Sequence, residues 1–198
     1  MQTLNKLPED HIFHSIVDNE LGYGADGQVF SVKNNDDMVL KISILYEHSM
    51  IDSIDEKFNL IKDNILYIQS NSPKHFAKVC DFEYQLTNER DTVNGPQKYI
   101  VYSYWIEKLN KISDDEKKVF HTIMSHEDLN KQKKLSKKQL VSTLKGLARA
   151  LDFDVEKVIL FHEQYHSSNV IHNDVHPRNI MKDNLGNFKL IDIDNITI

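Results

Sequence analysis

The sequence has a single cysteine, Cys80, among 198 residues, and no long apolar run. One thiol cannot form an intramolecular disulfide, so the sequence gives no indication of an oxidising compartment. No stretch reaches the roughly 18 apolar residues that a membrane helix needs, and the N-terminus MQTLNKLPEDHIFHS lacks an apolar run after its charges. These absences predict a cytoplasmic protein without a membrane segment.

Basic residues are also too few for a general nucleic-acid binder. The sequence has 24 Lys and Arg against 30 Asp and Glu, which gives a formal net charge of -6. A nucleic-acid backbone favours a basic protein face, so we expect no nucleic-acid partner. Hydrophobic residues make up 40% of the chain, which is enough for a packed interior in one domain or in two small lobes.

The hydrophobic pattern changes character near residue 107. Before that point, short β-branched and aromatic segments predict strands, and one stretch with helical periodicity predicts an amphipathic helix. The predicted strands are residues 13–21, 28–33, 38–43, 79–86 and 99–106, with a polar loop around 94–96, and the predicted helix is 53–69. After residue 107 the pattern is helical, over residues 114–125, 136–151 and 155–167.

Three of the six glycines lie in LGYGADGQVF, between the first two predicted strands. Gly22, Gly24 and Gly27 have the spacing G-x-G-x-x-G-x-V, which Val29 completes. Glycine lets backbone N–H groups approach phosphate oxygens closely, because no Cβ stands in the way. A strand follows where a dinucleotide-binding fingerprint would require a helix, so that class is excluded. A glycine-rich hairpin that binds nothing would give the same pattern.

Lys41 is the only cation in the apolar run VLKIS of the third predicted strand. Burying a lysine there is costly unless a negative group meets it. Phosphate oxygens and a carboxylate from the following helix are suitable partners, with Glu56 as the first candidate and Glu47 as its competitor. A half-exposed strand that points its lysine to solvent is the alternative.

The segment VIHNDVHPRNIM concentrates polar groups between apolar ends. Within this segment, Asn179 follows Asp174 five residues later. Beyond the segment, Asp192 comes after a turn at residues 184–186. The chain thus contains GYGADGQV, VLKI, HNDVHPRN and DID, in that order. Together they resemble the glycine-rich loop, the V-A-I-K lysine, the H-R-D-x-x-x-x-N loop and the D-F-G aspartate of the protein-kinase superfamily. The resemblance covers about residues 21–194.

This resemblance implies an α+β, bilobal protein-kinase-like fold. The N-lobe, residues 1–106, would hold an antiparallel five-stranded sheet with one helix, and residues 107–198 would form a reduced helical C-lobe. ATP and Mg2+ would be the cofactors. The nucleotide-binding residues implied are Gly22, Gly24, Gly27, Val29, Lys41, Glu56, Ser103 and Trp105, where Ser103 to Trp105 would form the hinge.

The catalytic roles implied by the resemblance fall on Lys41, Asp174 and Asn179. Lys41 would hold the α and β phosphates, and Asp174 would accept the proton of the attacking hydroxyl. Asn179 and Asp192 would supply hard oxygen ligands to Mg2+, the chemistry that this ion prefers.

Several departures from the family pattern limit what the resemblance implies. Asn173 stands where many protein kinases have arginine, so switching by a phosphorylated activation loop is not expected. His176 and the sequence motif H-P-x-N are closer to those of aminoglycoside and choline kinases. The D-F-G glycine is missing, and only six residues follow Asp192. We therefore expect a compact kinase without an activation segment, similar to bacterial effector or phage kinases, that could be secreted into a host cell.

Three functions remain open at this point. The first is an ATP-dependent kinase acting on protein Ser/Thr hydroxyls, with a protein activator as a further partner. The second is a small-molecule kinase of the aminoglycoside or choline type. The third is a nucleotide-binding pseudokinase that serves as a partner-binding module, which we rank last because every catalytic position carries a competent residue.

Three histidines, His162, His166 and His172, suggest a metal cluster at first sight. No cysteine or second carboxylate shows the spacing of a zinc site, so we interpret them as helix-face and loop histidines.

Overall fold

The computed structural model describes residues 3–24, 27–47, 53–93, 95–127 and 134–198. The chain forms two compact units. The first consists of Met1–Ser72 with Lys78–Lys108, and the second of Pro73–Ala77 with Leu109–Ile198. Among the described residues, the helices are all too short or too polar to cross a membrane.

The first unit is built on a five-stranded antiparallel sheet in the order β1-β2-β3-β5-β4. Its strands are β1 (Val17–Tyr23), β2 (Gly27–Val32), β3 (Asn35–Tyr46), β4 (Val79–Thr92) and β5 (Gly95–Glu107). Asn34, with φ 60°, turns the chain between β2 and β3, which suits asparagine because it tolerates the left-handed region. The five-stranded antiparallel sheet predicted from the sequence is confirmed.

A long helix, α2 (Ile54–Asn71), packs on one face of this sheet. Ser53 caps its start by accepting a hydrogen bond from the Glu56 N–H, and the helix ends at Ser72 in the left-handed region. Phe58 on its buried side lies 5.4 Å from the Tyr102 ring of β5, measured between ring centroids. The opposite face of the sheet carries a separate apolar cluster that includes Leu7, Phe13, Phe30, Leu40, Ile42, Ile44 and Val101.

Two predictions for this unit are wrong in detail. Phe13–Ile16 forms one helical turn, α1, because the fully buried Phe13 anchors it to the sheet, and strand β1 begins only at Val17. The hairpin of β4 and β5 extends into the predicted polar loop as far as the pair Thr92 and Gly95; Asn94 lies outside the described residues. Alternating exposure along β4 explains the error, since a strand that is exposed on one face reads as a polar segment.

The second unit combines three helices with two small antiparallel sheets. The helices are α3 (Asp114–His126), α4 (Lys137–Leu147) and α5 (Val155–Ser167), and capping boxes at Ser113 and Ser136 start the first two. One sheet joins β6 (Asn110–Lys111), β8 (Ile180–Lys182) and β9 (Phe188–Leu190), and the other joins β7 (Ile171–His172) to β10 (Ile196–Thr197).

Aromatic packing forms the core of the second unit. The Phe120 ring of α3 lies 5.5 Å from Phe161 of α5 and 4.9 Å from Phe188 of β9, measured between centroids. The segment Pro73–Ala77 joins this unit through β9, because Leu190 donates its N–H to the His75 carbonyl and accepts the Ala77 N–H. These contacts hold β9 and the residues that follow it in a fixed place.

Candidate functional site

The glycine-rich turn lies between β1 and β2, as predicted. The Gly24 N–H donates to the Gly27 carbonyl at 2.8 Å, which closes the hairpin; Ala25 and Asp26 lie outside the described residues. A Cβ on Gly27 would come within 2.6 Å of the Ile42 carbonyl oxygen, so packing against β3 requires this glycine. A Cβ on Gly22 or Gly24 would meet no described atom within 4 Å. Packing therefore explains why residue 27 is glycine, but it does not explain the glycines at positions 22 and 24.

Lys41 lies in the middle of the sheet and is only 8% exposed. It pairs with Val29 of β2 and with Tyr104 of β5, and its Nζ lies 5.7 Å from the centroid of the Tyr104 ring. Tyr102, two residues before Tyr104, points to the same face and contacts α2. The ammonium group is therefore buried on the face that α2 covers, which excludes the solvent-directed alternative.

The two acidic candidates for pairing with Lys41 occupy different places. Glu56 lies in the first turn of α2 and is exposed, so its pairing with Lys41 stays a prediction. Glu47 lies six residues beyond Lys41 along the β3 direction, which corresponds to about 20 Å. Its carboxylate accepts the backbone N–H of Lys98 at 3.4 Å. Glu47 is therefore too distant to pair with Lys41.

The predicted hinge residues Ser103 and Trp105 have their side chains on the other face of the sheet. Ser103 pairs with Ile42 and Trp105 with Leu40, and both of these partners belong to the apolar cluster opposite α2. Ser103 is fully buried, and the Trp105 indole N–H donates to the Glu83 carboxylate. The strand register thus separates these two side chains from Lys41, whose neighbour on β5 is Tyr104.

In the second unit, His172 organises the segment that carries the predicted catalytic residues. Its Nδ1 accepts the backbone N–H of Asp174 at 3.1 Å, and its Nε2 lies 2.7 Å from the Ile191 carbonyl oxygen. The ring is 3% exposed and stacks on Phe76 at an interplanar angle of 15°. Burial lowers the pKa of His172, which favours the neutral ring with its proton on Nε2 that these two hydrogen bonds require.

Asp174 and Asn179 face each other across the loop between β7 and β8. The amide nitrogen of Asn179 donates to the Asp174 backbone carbonyl at 2.9 Å and approaches the carboxylate oxygen Oδ2 at 3.4 Å. Because these contacts use the nitrogen, the side-chain oxygen of Asn179 is the atom that could bind a cation. The Asp174 side chain is 54% exposed, so its carboxylate is accessible.

His176 also contacts Asp174. Its Nδ1 accepts the Arg178 N–H at 3.0 Å, which leaves Nε2 to carry the proton, and Nε2 lies 3.2 Å from Oδ2 of Asp174. The sequence pattern left the role of His176 open. The geometry makes it a positioning residue for the Asp174 carboxylate.

Asp192 follows β9 with an unusual backbone conformation, φ 65°, in the left-handed region. A hydrogen bond from the Ile191 N–H to the Asn179 carbonyl at 2.9 Å joins this segment to the loop of Asp174. The carboxylates of Asp174, Asp192 and Asp194 all act electrostatically on His172. In the second unit, the carboxylates of Asp174 and Asp192 thus act on one buried imidazole, and the Asn179 side chain contacts Asp174.

Sequence reasoning missed the scaffold that holds these residues. It interpreted His172 as a loop histidine without naming the groups it contacts, and it gave no role to Phe76, which lies far earlier in the chain. The one available signal was the apolar pair Phe76-Ala77 inside a polar stretch, which indicates burial without naming its partner.

No protein-family model and no curated protein matches the sequence. Solved structures do match. A crystal structure of WbdD matches with a TM-score of 0.44 and 17% identity, over 91% of this chain and 33% of that one. The ROP18 kinase domain in complex with AMP-PNP and sucrose matches with a TM-score of 0.49 and 17% identity, over 90% of this chain and 51% of that one. The chain thus spans about a third to a half of the length of these structures.

The first unit has the arrangement that the sequence motifs imply. It contains the five-stranded sheet with a helix between its third and fourth strands, the glycine-rich turn between the first two and the buried lysine on the third.

Proposed function

We propose that this chain is an ATP-dependent phosphotransferase that moves the γ-phosphate of Mg-ATP to a hydroxyl group of a protein Ser or Thr. The observation that carries the proposal is the arrangement of Asp174, Asn179 and Asp192 around His172. An accessible carboxylate beside an amide and a second carboxylate provides a proton acceptor and two oxygen ligands, which are the groups that phosphoryl transfer needs.

The residues of the first unit would hold the nucleotide. The turn at Gly22 and Gly24 presents backbone N–H groups without a Cβ, and Lys41 offers a buried ammonium to the α and β phosphates. A buried cation interacts strongly with phosphate because the surroundings screen it little. Val29, the neighbour of Lys41 on β2, would lie against the base.

The residues of the second unit would carry the chemistry. The acceptor oxygen attacks the γ-phosphorus, the bond from that phosphorus to the β–γ bridging oxygen breaks, and the hydroxyl proton passes to the carboxylate of Asp174. His176 and Asn179 both contact Oδ2 of that carboxylate and would hold it in place. Asn179 and Asp192 would bind Mg2+, which neutralises charge on the phosphates when it is bound.

A thermal-shift experiment tests nucleotide binding directly. Mg-ATP should raise the melting temperature of the wild type, and the rise should disappear in Lys41→Met and in Asp192→Asn. Methionine suits Lys41 because it keeps the apolar stem of this buried side chain. Lys145→Ala and Asp63→Asn, on exposed positions of α4 and α2, are the controls and should keep the shift. An equal shift in all five proteins would overturn the proposed nucleotide site.

The acceptor class needs a second measurement. A cell extract incubated with γ-labelled ATP and the protein should gain label in the protein fraction if the acceptor is a Ser or Thr side chain. Label in the metabolite fraction would favour a small-molecule kinase, which the sequence motif His176-Pro177-x-Asn179 suggests. Nucleotide binding without labelling of either fraction would favour the pseudokinase, a partner-binding module.

A further inference from the structure

A second cluster of polar side chains lies in the second unit, on residues that the proposed phosphotransferase does not use. Glu127 immediately follows α3, and His162 and His166 lie on α5. One ligand atom from each of these three residues lies within 4.8 Å of the other two. The two histidines are four residues apart on one helix, so they share a face and both point to the same carboxylate.

The three side chains are held together in a mostly buried place. The Glu127 side chain is 3% exposed, and those of His162 and His166 are 12% and 13% exposed. Nε2 of His162 lies 2.7 Å from Oε1 of Glu127, and Nε2 of His166 lies 3.3 Å from Oε2. The backbone N–H of Leu135 donates to Oε1 at 2.7 Å, which fixes the orientation of the carboxylate.

Three nitrogen atoms contact the Glu127 carboxylate. Burial alone would raise the pKa of Glu127, but hydrogen bonds from His162, His166 and the Leu135 N–H outweigh it and lower this pKa to about 2. One carboxylate oxygen and two imidazole nitrogens therefore lie within 4.8 Å of one another.

We propose that Glu127, His162 and His166 bind one divalent transition-metal ion, with Zn2+ as the ion that suits them best. Two histidines and one carboxylate form a recognised ligand set for Zn2+, with metal–ligand distances of about 2.0–2.2 Å and a fourth position for water. Ligands at that distance in a tetrahedron are separated from one another by about 3.3 Å. The distance from His166 Nε2 to Oε2 of Glu127, 3.3 Å, matches this separation, whereas the distance from His162 Nε2 to Oε1, 2.7 Å, is a hydrogen-bond length that would have to lengthen by about 0.6 Å.

The sequence alone argued against a metal site because no cysteine or second carboxylate showed the spacing of a zinc site. The structure supplies a carboxylate from 35 residues before His162, at the end of another helix. His172, the third histidine of this part of the sequence, instead bonds to Asp174 and Ile191 and takes no part. This centre also differs in chemistry from the proposed Mg2+ ligands Asn179 and Asp192, since imidazole favours Zn2+ whereas Mg2+ prefers oxygen.

The bound ion would fasten the end of α3 to α5. Without it, the same residues form a hydrogen-bonded pair of histidines around a carboxylate, which is the competing explanation. Added metal ions distinguish the metal site from the hydrogen-bonded pair. Only a metal site becomes more stable when the ions bind, and only a metal site gives the bound ion a ligand-field spectrum.

The experiment uses the full chain without an affinity tag, freed of metal by a chelator and dialysed. Zn2+ should bind with a stoichiometry of one per chain and raise the melting temperature by about 5 °C or more at saturating concentration. Co2+ in place of Zn2+ should give the intense visible absorption of a tetrahedral site. Mg2+ should do neither.

Variants then locate the ion. Glu127→Gln keeps an oxygen for the Leu135 N–H, and His166→Gln keeps a polar side chain on α5, so each tests ligation with the least damage to packing. Either variant should lose the Co2+ absorption and the Zn2+ shift, whereas His121→Ala, an exposed histidine of α3, should retain both. Absence of stoichiometric Zn2+ binding in the wild type, or binding that survives both variants, would overturn the metal centre and leave the hydrogen-bonded pair. Neither result depends on phosphotransferase activity.

Discussion

The imidazole Nδ1 of His172 accepts the backbone N–H of Asp174 at 3.1 Å, and this contact fixes the start of the candidate catalytic loop. The other ring nitrogen lies 2.7 Å from the carbonyl oxygen of Ile191, directly before Asp192. One buried side chain thus joins the two chain segments that carry the predicted catalytic carboxylate and the predicted metal ligand. His172 is therefore the residue on which the geometry of the site depends.

Replacement of His172 should destabilise the protein and disorder the loop. In His172→Phe the ring can still stack on Phe76, but the Asp174 N–H and the Ile191 carbonyl lose their partner. The expected loss in the free energy of unfolding is about 2 kcal/mol, measured by urea denaturation. His121→Phe, at an exposed position of α3, is the matched control. Equal stability of His172→Phe and the wild type would contradict this role.

Stability should fall in mild acid because of His75. This side chain is 3% exposed, and burial with the nearby charge of Lys189 lowers its pKa from 6.5 to about 4. Between these two values the unfolded chain binds one more proton than the folded protein, so stability decreases as the pH falls. The neutral His75 ring contributes fully to the free energy of unfolding above pH 6.5. About 2 kcal/mol of this free energy is lost between pH 7 and pH 5, because the ring takes up a proton in the unfolded chain while it stays neutral in the folded protein.

Comparison with His75→Phe measures this contribution. The variant should lose less stability between pH 7 and pH 5 than the wild type, by urea denaturation at both pH values. Some pH dependence should remain, because burial also lowers the pKa of His172. A variant with the full acid sensitivity of the wild type would show that other groups are responsible.

The three glycines of the hairpin should respond differently to alanine. Gly27→Ala brings a methyl group within 2.6 Å of the Ile42 carbonyl oxygen and should cost about 2 kcal/mol of stability. Gly22→Ala and Gly24→Ala meet no described atom and should change stability by less than about 0.5 kcal/mol. If the turn binds phosphate, these two variants should instead weaken Mg-ATP binding, measured by calorimetry. Full ATP affinity in both would argue for a hairpin that binds nothing.

Two substitutions of Asp192 can distinguish its backbone conformation from its proposed role as a metal ligand. With φ 65° the residue sits in a region that asparagine and aspartate tolerate and alanine does not. Asp192→Ala should therefore be less stable than Asp192→Asn by about 1 kcal/mol in urea denaturation. Both should lose Mg2+-dependent ATP binding. If the asparagine variant retains it, Asp192 is not the metal ligand.

The sequence predicted which helices and strands are present better than it predicted the residues at which they begin and end. Hydrophobic periodicity located α2 and all five strands of the large sheet, because each has one face that must be buried. It failed at Phe13, since a single buried aromatic residue in a short segment fits a helical turn as well as a strand. It also ended β4 too early, because a hairpin that is exposed on one face looks polar in sequence.

For the candidate site, the motif spacing located residues that are close in sequence and missed those that are distant. Asp174 and Asn179 are five residues apart, and the structure joins them as the spacing suggests. Ser103 and Trp105 lie near the end of a predicted strand. A strand alternates its faces, and only the pairing with β3 reveals which face each side chain occupies. Glu127 could not be connected to His162 because no local pattern spans 35 residues.

The most direct test of the proposed phosphotransferase is ADP formation from Mg-ATP in a cell extract supplemented with the purified protein, wild type against Asp174→Asn. Asparagine keeps the shape of the side chain and removes the carboxylate that would accept the proton, and Asp63→Asn controls for loss of a carboxylate elsewhere. The account predicts protein-dependent ADP formation in the wild type and in Asp63→Asn, and at least about a hundredfold less in Asp174→Asn. Equal ADP formation in the wild type and in Asp174→Asn would contradict it.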